Sequence, residues 1–279
     1  MTVTIIGIGL IGGSMALAMR EKGFASRIIG VDANKEHLQK ALSLGLVDEV
    51  MDWEPALDQA DLVIIAIPVN AVGEIILPLL NRIQHQVLMD VGSTKQAVCE
   101  LVRSHPMHKR FVATHPMWGT EYSGPEAAVR GAFANKAVVI CNKEESHPGA
   151  IEMVENMYRA IGMHLLYMDA MAHDLHAAYV SHISHITSFA LANTVLEKER
   201  EDQAIFELAS GGFESTVRLA KSNPAMWVPI FMQNKENILD VLNEHISQLR
   251  KFKSCLEKEN YEYLKELIEN ANKIKRIIK

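Results

Sequence analysis

The sequence predicts an α/β fold, a doubly wound and mostly parallel sheet followed by an all-helical domain. Three observations predict it. Short β-rich runs alternate with helical stretches through residues 1–168. Several runs, such as Leu62-Val63-Ile64-Ile65-Ala66-Ile67, are continuously apolar, as strands covered on both faces must be. From Asp169 onward the strand pattern stops.

Strands are expected at Val3–Ile8, Arg27–Val31, Leu62–Ile67, Gln86–Val91, Phe111–Thr114, Ala137–Cys141 and His164–Met168. Helices between them imply right-handed βαβ crossovers. Asp169–Arg200 reads as one long helix. Phe206–Lys221 reads as another, broken near its middle by Gly211-Gly212. Pro224 suits a first helical turn with Asn223 as its cap, and Val228–Lys279 keeps Glu, Lys, Leu and Ile at three- and four-residue spacing. The expected domains are 1–168 and 169–279, with no Ser/Gly linker between them.

Composition narrows the function. The 279 residues exceed the usual domain size of about 100–200 residues, so two domains are natural. A net charge of −6 disfavours nucleic acid as a partner, because phosphate neutralisation needs a basic surface. The basic end, Lys273-Ile274-Lys275-Arg276-Ile277-Ile278-Lys279, reads as cations offsetting a helix dipole. Cys99, Cys141 and Cys255 are odd in number and scattered, which suits a reducing cytoplasm rather than a disulfide framework. No run reaches about 18 apolar residues and no positively charged leader precedes the first strand, so neither membrane spanning nor secretion is expected.

Gly7-Ile8-Gly9-Leu10-Ile11-Gly12 follows one expected strand and opens a helix. Gly7 permits the tight turn, Gly9 lets the backbone approach a pyrophosphate, and Gly12 lets helix pack on strand. The amides of Leu10 and Ile11 then open a helix N-terminus, which binds anions. Asp32 ends the second strand about 20 residues beyond Gly12, where a carboxylate accepts hydrogen bonds from ribose hydroxyls and repels a 2′-phosphate. This is a Rossmann-type dinucleotide site, and NAD is the expected cofactor. Ile67 and Pro68, after the Leu62–Ile67 strand, would form the next wall of its cleft.

Three further segments carry polar groups toward that cleft. In Val91-Gly92-Ser93-Thr94-Lys95, Ser93 or Thr94 equally suits a helix cap. The loop from Thr114 to Gly124 presents His115, Thr120 and Glu121, and His115 is held by Pro116 at a strand end. On the long helix Asp174, His182 and His185 recur, the two histidines sharing one face. No third ligand has metal spacing, so no metal is expected. Arg218 alone would read as a surface arginine, though a guanidinium is also the best partner for a substrate carboxylate.

Together these motifs resemble the prephenate dehydrogenases, a family that includes arogenate and cyclohexadienyl dehydrogenases. The resemblance rests on Gly7-x-Gly9-Leu10-Ile11-Gly12-Gly13-Ser14, Val91-Gly92-Ser93-x-Lys95, and Thr114-His115-Pro116-Met117-x-Gly119-x-Glu121-x-Ser123-Gly124. It continues in Ser181-His182-x-x-His185 and Gly212-Phe213 through Arg218 to Trp227, and covers nearly the whole chain. It implies NAD-dependent oxidation of prephenate, with loss of carbon dioxide, to 4-hydroxyphenylpyruvate for tyrosine synthesis. Arogenate is the alternative substrate. The resemblance further implies His115 as proton acceptor and Ser93 as its orienter. Arg218 would hold a substrate carboxylate, with His185, His182, Thr120 and Glu121 around the pocket, and the protein would be a homodimer through its helical domain. Where many members carry a basic residue and then Asp, this chain has Glu214-Ser215, which bears on the choice between keto acid and amino acid. The chain ends with the helical domain, so tyrosine feedback, if any, is expected at the active site. A β-hydroxyacid or imino-acid dehydrogenase would instead use a helical-domain lysine; a non-catalytic NAD-binding protein would bind without turnover.

Overall fold

The computed structural model describes residues 1–199 and 205–277. Eight strands form one sheet: β1 (Thr2–Ile6), β2 (Arg27–Val31), β3 (Glu49–Val50), β4 (Leu62–Ile65), β5 (Val87–Asp90), β6 (Phe111–Pro116), β7 (Ala137–Cys141) and β8 (His164–Met168). Their order is β3-β2-β1-β4-β5-β6-β7-β8, and all neighbours are parallel except β6 and β7. The order reverses between β1 and β4, the switch point where open α/β sheets hold ligands. Register lines up the carboxyl ends: Ile6 lies beside Val31 and Ile65, Ile65 beside Asp90, and Asp90 beside Ala113. The loops at Gly7, Asp32, Ala66 and Val91 and the end of β6 therefore share one rim of the sheet.

Helices cover both faces. On one, α1 (Leu10–Glu21), α2 (Lys35–Ser43) and α6 (Pro148–Ala160) bury Met15, Met19, Ala41, Val154 and Met157 against Val3, Ile5, Ile64 and Met89. On the other, α3 (Trp53–Asp58), α4 (Val69–Arg82), α5 (Gln96–Val102) and α7 (Ala170–Ala177) bury Leu57, Ile76, Leu80, Val98 and Ala170 against Ile6, Val63, Ile65 and Leu88. The period-two alternation of the strands sorts these side chains, and each fully buried aliphatic contributes about 1.5–3 kcal/mol.

The long helix is not uniform. Asp169 caps α7, a π-helical turn follows at Ala178–His182, and α8 runs Ile183–Glu199. Arg200 lies outside the described residues. Gly211 opens α9 (Gly211–Val217) instead of breaking a helix, and a 3-10 turn at Arg218–Lys221 leads to α10 (Pro224–Gln233). Asn223 caps α10, accepting from the Ala225 amide at 2.9 Å.

The chain divides into two compact units, Met1–Asn234 and Lys235–Lys279. The first contains the sheet and every helix through α10, so the division by contacts falls later in the chain than 168/169, where the strands cease. The second holds α11 (Lys235–Glu257) and α12 (Tyr261–Ala271), the latter capped by Asn260 at the Tyr263 amide. No helix among the described residues is long and apolar enough to cross a membrane.

Candidate active site

The glycine turn fits a dinucleotide. Gly7 has φ +95°, and a Cβ there would lie 2.5 Å from the Ala66 carbonyl oxygen. At Gly12 a Cβ would lie 2.1 Å from the Gly7 carbonyl oxygen. A Cβ on Gly9 would meet nothing within 4 Å, and α1 begins with no side-chain cap and no acidic residue in its first turn. Its leading amides, beside Leu10 and Ile11, thus face open space without a competing carboxylate, as a pyrophosphate needs. Asp32 accepts from the Ile8 amide at 3.0 Å and the Asn34 amide at 2.9 Å. Its two oxygens keep lone pairs for ribose hydroxyls. Ile67 is half-buried beside Gly7 and Pro68 is exposed.

The loop after β5 is pinned from below. Lys95 is fully buried; its ammonium bonds the Asp90 carboxylate and the Thr114 carbonyl, the latter at 2.8 Å. Asp90 also accepts from the Gly92 amide at 3.0 Å. Breaking such a buried pair on one side costs about 3–5 kcal/mol, so the turn presenting half-buried Ser93 is rigidly held. Thr94 donates to Gln233 at 2.6 Å, and Gln233 donates to the Val69 carbonyl at 3.0 Å, which ties α10 to two loops of the same rim.

His115 lies within β6, paired in register with Val139, and not in the turn after a strand. Its Nδ1 is 2.8 Å from Nε2 of His173 on α7. His173 Nδ1 is 2.7 Å from Asp174 Oδ1, which also accepts from the Lys95 amide at 2.8 Å, while Oδ2 accepts from the Gln96 amide at 2.9 Å. The ring nitrogen facing inward is therefore met by His173; Ser93, expected to orient it, sits on the neighbouring loop. Burial first holds His115 well below the usual imidazole range, and positive charge on His173, Lys95 or His182 acts in the same direction. The ring is thus neutral at pH 7.

Four helical-segment residues complete the site. His182 is 1% exposed and accepts at Nδ1 from Asn234 at 3.1 Å; burial lowers its pKa to about 4. His185 stacks on Trp227 with ring centroids 3.4 Å apart and bonds the Ser181 carbonyl at 3.1 Å through Nδ1; burial lowers its pKa too. Trp227 is buried, and its Nε1 has no hydrogen-bond partner among the described residues. Arg218 donates to Glu121 at 2.9 Å. Glu121 is held below the usual carboxylate range by its own backbone amide first and by Arg218 next. Thr120 accepts from the Tyr122 amide at 3.3 Å. Sequence reasoning named both ends of the Glu121–Arg218 pair without pairing them. It missed His173, whose one signal is its place immediately before Asp174.

The chain is similar to known proteins over nearly its whole length. Residues 15–167 match the family profile described as prephenate dehydrogenase, nucleotide-binding domain, and residues 169–270 match prephenate dehydrogenase, dimerization domain. A prephenate dehydrogenase of Bacillus subtilis is 34% identical over 94% of this chain and 72% of its own length. A cyclohexadienyl dehydrogenase of Zymomonas mobilis is 28% identical over 99% of this chain and 96% of its own. The crystal structure of prephenate dehydrogenase from Aquifex aeolicus in complex with hydroxyphenyl propionate and NAD+ superposes with a TM-score of 0.90 at 32% identity, covering 99% of this chain and 97% of that one.

Proposed function

The chain belongs to the prephenate dehydrogenase family, and from that premise we propose how its residues carry the NAD-dependent oxidative decarboxylation of prephenate to 4-hydroxyphenylpyruvate, carbon dioxide and NADH. The observation that carries the proposal is a neutral, half-buried His115 at the carboxyl rim of the sheet, with one ring nitrogen already engaged by His173. Gly7, Gly9, Leu10, Ile11 and Gly12 would hold the pyrophosphate, Asp32 the ribose, and Ile67 and Pro68 the adjoining wall. NAD, when bound, supplies the hydride acceptor. His115 takes the proton of the C4 hydroxyl as that carbon loses hydride. The electron pair of the bond to the ring carboxyl flows into the ring as carbon dioxide leaves, and the proton returns from His115 to the resulting phenolate oxygen, which ends as a phenol. Aromatisation drives the step, so orientation and one proton acceptor suffice.

Ser93 would hydrogen-bond the C4 oxygen from the neighbouring loop. Arg218 spends one N–H on Glu121 and keeps others for a substrate carboxylate. His185 and Thr120 would line the side-chain end of the pocket, with His182 behind Trp227. A homodimer through the helical segment is supported by the dimerization-domain match. A reducing, cytoplasmic setting suits the three free, buried cysteines.

NADH formation with prephenate and with arogenate in parallel tests the reading. Prephenate is expected to give the larger kcat/KM, and His115→Ala to lower turnover about 10²–10⁴-fold with NAD affinity intact. No NADH from either compound would sink the assignment.

A further inference from the structure

We infer that His173 is a positioning residue that fixes the tautomer of His115, with the Asp174 carboxylate as the charge behind it. This rests on His115 being the base.

The order of donors follows from Asp174. Its oxygens receive the amides of Lys95 and Gln96 and Nδ1 of His173, so the carboxylate acts only as an acceptor. His173 Nδ1 must therefore donate. In a neutral His173 the other nitrogen, Nε2, then carries the lone pair, and at 2.8 Å it can only accept from Nδ1–H of His115. The consequence lies on the far side of the His115 ring: Nε2 holds the lone pair and is the atom that takes a proton. A doubly protonated His173 would reverse the chain, donate into His115 Nδ1, and leave a proton on the nitrogen that has to accept one.

The pair is shut away from solvent. His173 and Asp174 are each 2% exposed. The charged and titratable groups facing the pair are Asp90 at the end of β5 and Lys95 on the loop after it, paired with each other, His115 on β6, and His182 on the π-helical turn. When His115 gains its proton, its bond to His173 becomes charge-assisted and Asp174 lies one ring away. The relay thus stabilises the imidazolium formed in the reaction without protonating the ring beforehand.

The test compares His173→Phe, which removes the acceptor, with His173→Gln, whose side-chain oxygen can stand where Nε2 accepted. His173→Phe is expected to lower kcat about 10²-fold, leave NAD affinity unchanged, and move the acid limb of the kcat/KM profile to lower pH. His173→Gln should recover at least about ten-fold of that loss. Asp174→Asn should move the acid limb the same way, and it decides the matter if His173→Phe fails to fold. A merely structural role would lower the thermal midpoint and leave the acid limb in place for all three variants. That outcome, or a His173→Phe enzyme within about three-fold of the parent, would overturn the relay. His115→Ala separates the two readings: undiminished activity there removes the base itself, whereas its inactivity beside an unaffected His173→Phe removes only the relay.

Discussion

Gly9 and Gly12 lie three residues apart and serve opposite ends. A Cβ on Gly12 would strike the Gly7 carbonyl, whereas a Cβ on Gly9 would point into open space. Gly12→Ala should therefore cost about 1–3 kcal/mol or more of stability, since backbone must move to relieve a 2.1 Å contact. Gly9→Ala should unfold at the parent temperature and yet bind NAD weakly, because its methyl takes the space of the phosphate. Thermal unfolding with an NAD titration on both variants checks this; equal effects on both readouts would refute the division. These glycines and Asp32 were legible in sequence because their chemistry is local. His173 was not, since it reaches His115 across 58 residues and a His-Asp pair at a helix start is common. Lys95 was legible only as a motif position; its burial against Asp90 comes from the fold.

Elements were legible where they were long or punctuated. Asn223-Pro224 marks the start of α10 because a short acceptor and a fixed φ both suit a helix entry, and the structure uses both. Asn223→Ala should lower stability by about 1 kcal/mol in urea unfolding, with the slope unchanged. Asn223→Ser should retain most of it. β3 escaped notice because two residues carry no periodicity. The antiparallel direction of β7 was equally silent: an apolar run covered on both faces reads the same either way. His115 belongs to β6 for a related reason, since pairing with Val139 on β7 extends that strand past Thr114.

Across the whole molecule, the sequence divides where strands cease, while packing divides after Asn234. Ala170 enters the core beneath the sheet, and Trp227 and Ile230 of α10 pack on Val69 of α4, so the first helices after β8 belong to the sheet's own unit. That unit buries neutral histidines, and burial makes it sensitive to acid. Unfolded, the His182 ring binds its proton near pH 6.5; folded, only near pH 4. Above pH 6.5 its contribution is fully present. As pH falls toward 4 the unfolded chain takes the proton first, and up to about 3 kcal/mol is lost. His115 and His185 are depressed likewise and add to the loss. Urea unfolding at pH 7 and pH 5 should show the decline, and His182→Asn, which keeps an acceptor for Asn234, should flatten it. Stability unchanged over that interval would refute the account.

The π-helical turn at Ala178–His182 sets an angular phase. Each residue of an α-helix advances about 100°, so the wider turn delays the rotation of everything after it. With that delay His185 meets the face of Trp227, while His182 points back to Asn234. Were the same five residues to wind as plain α-helix, that delay would be lost. Ile183–Glu199 would then swing by about a quarter turn relative to α7, parting the stacked rings while leaving His173 and Asp174 where they are. The turn thus acts as a spacer between two histidine-bearing surfaces of one helix, one meeting His115 and the other stacked on Trp227, and lets each be aimed without disturbing its neighbour.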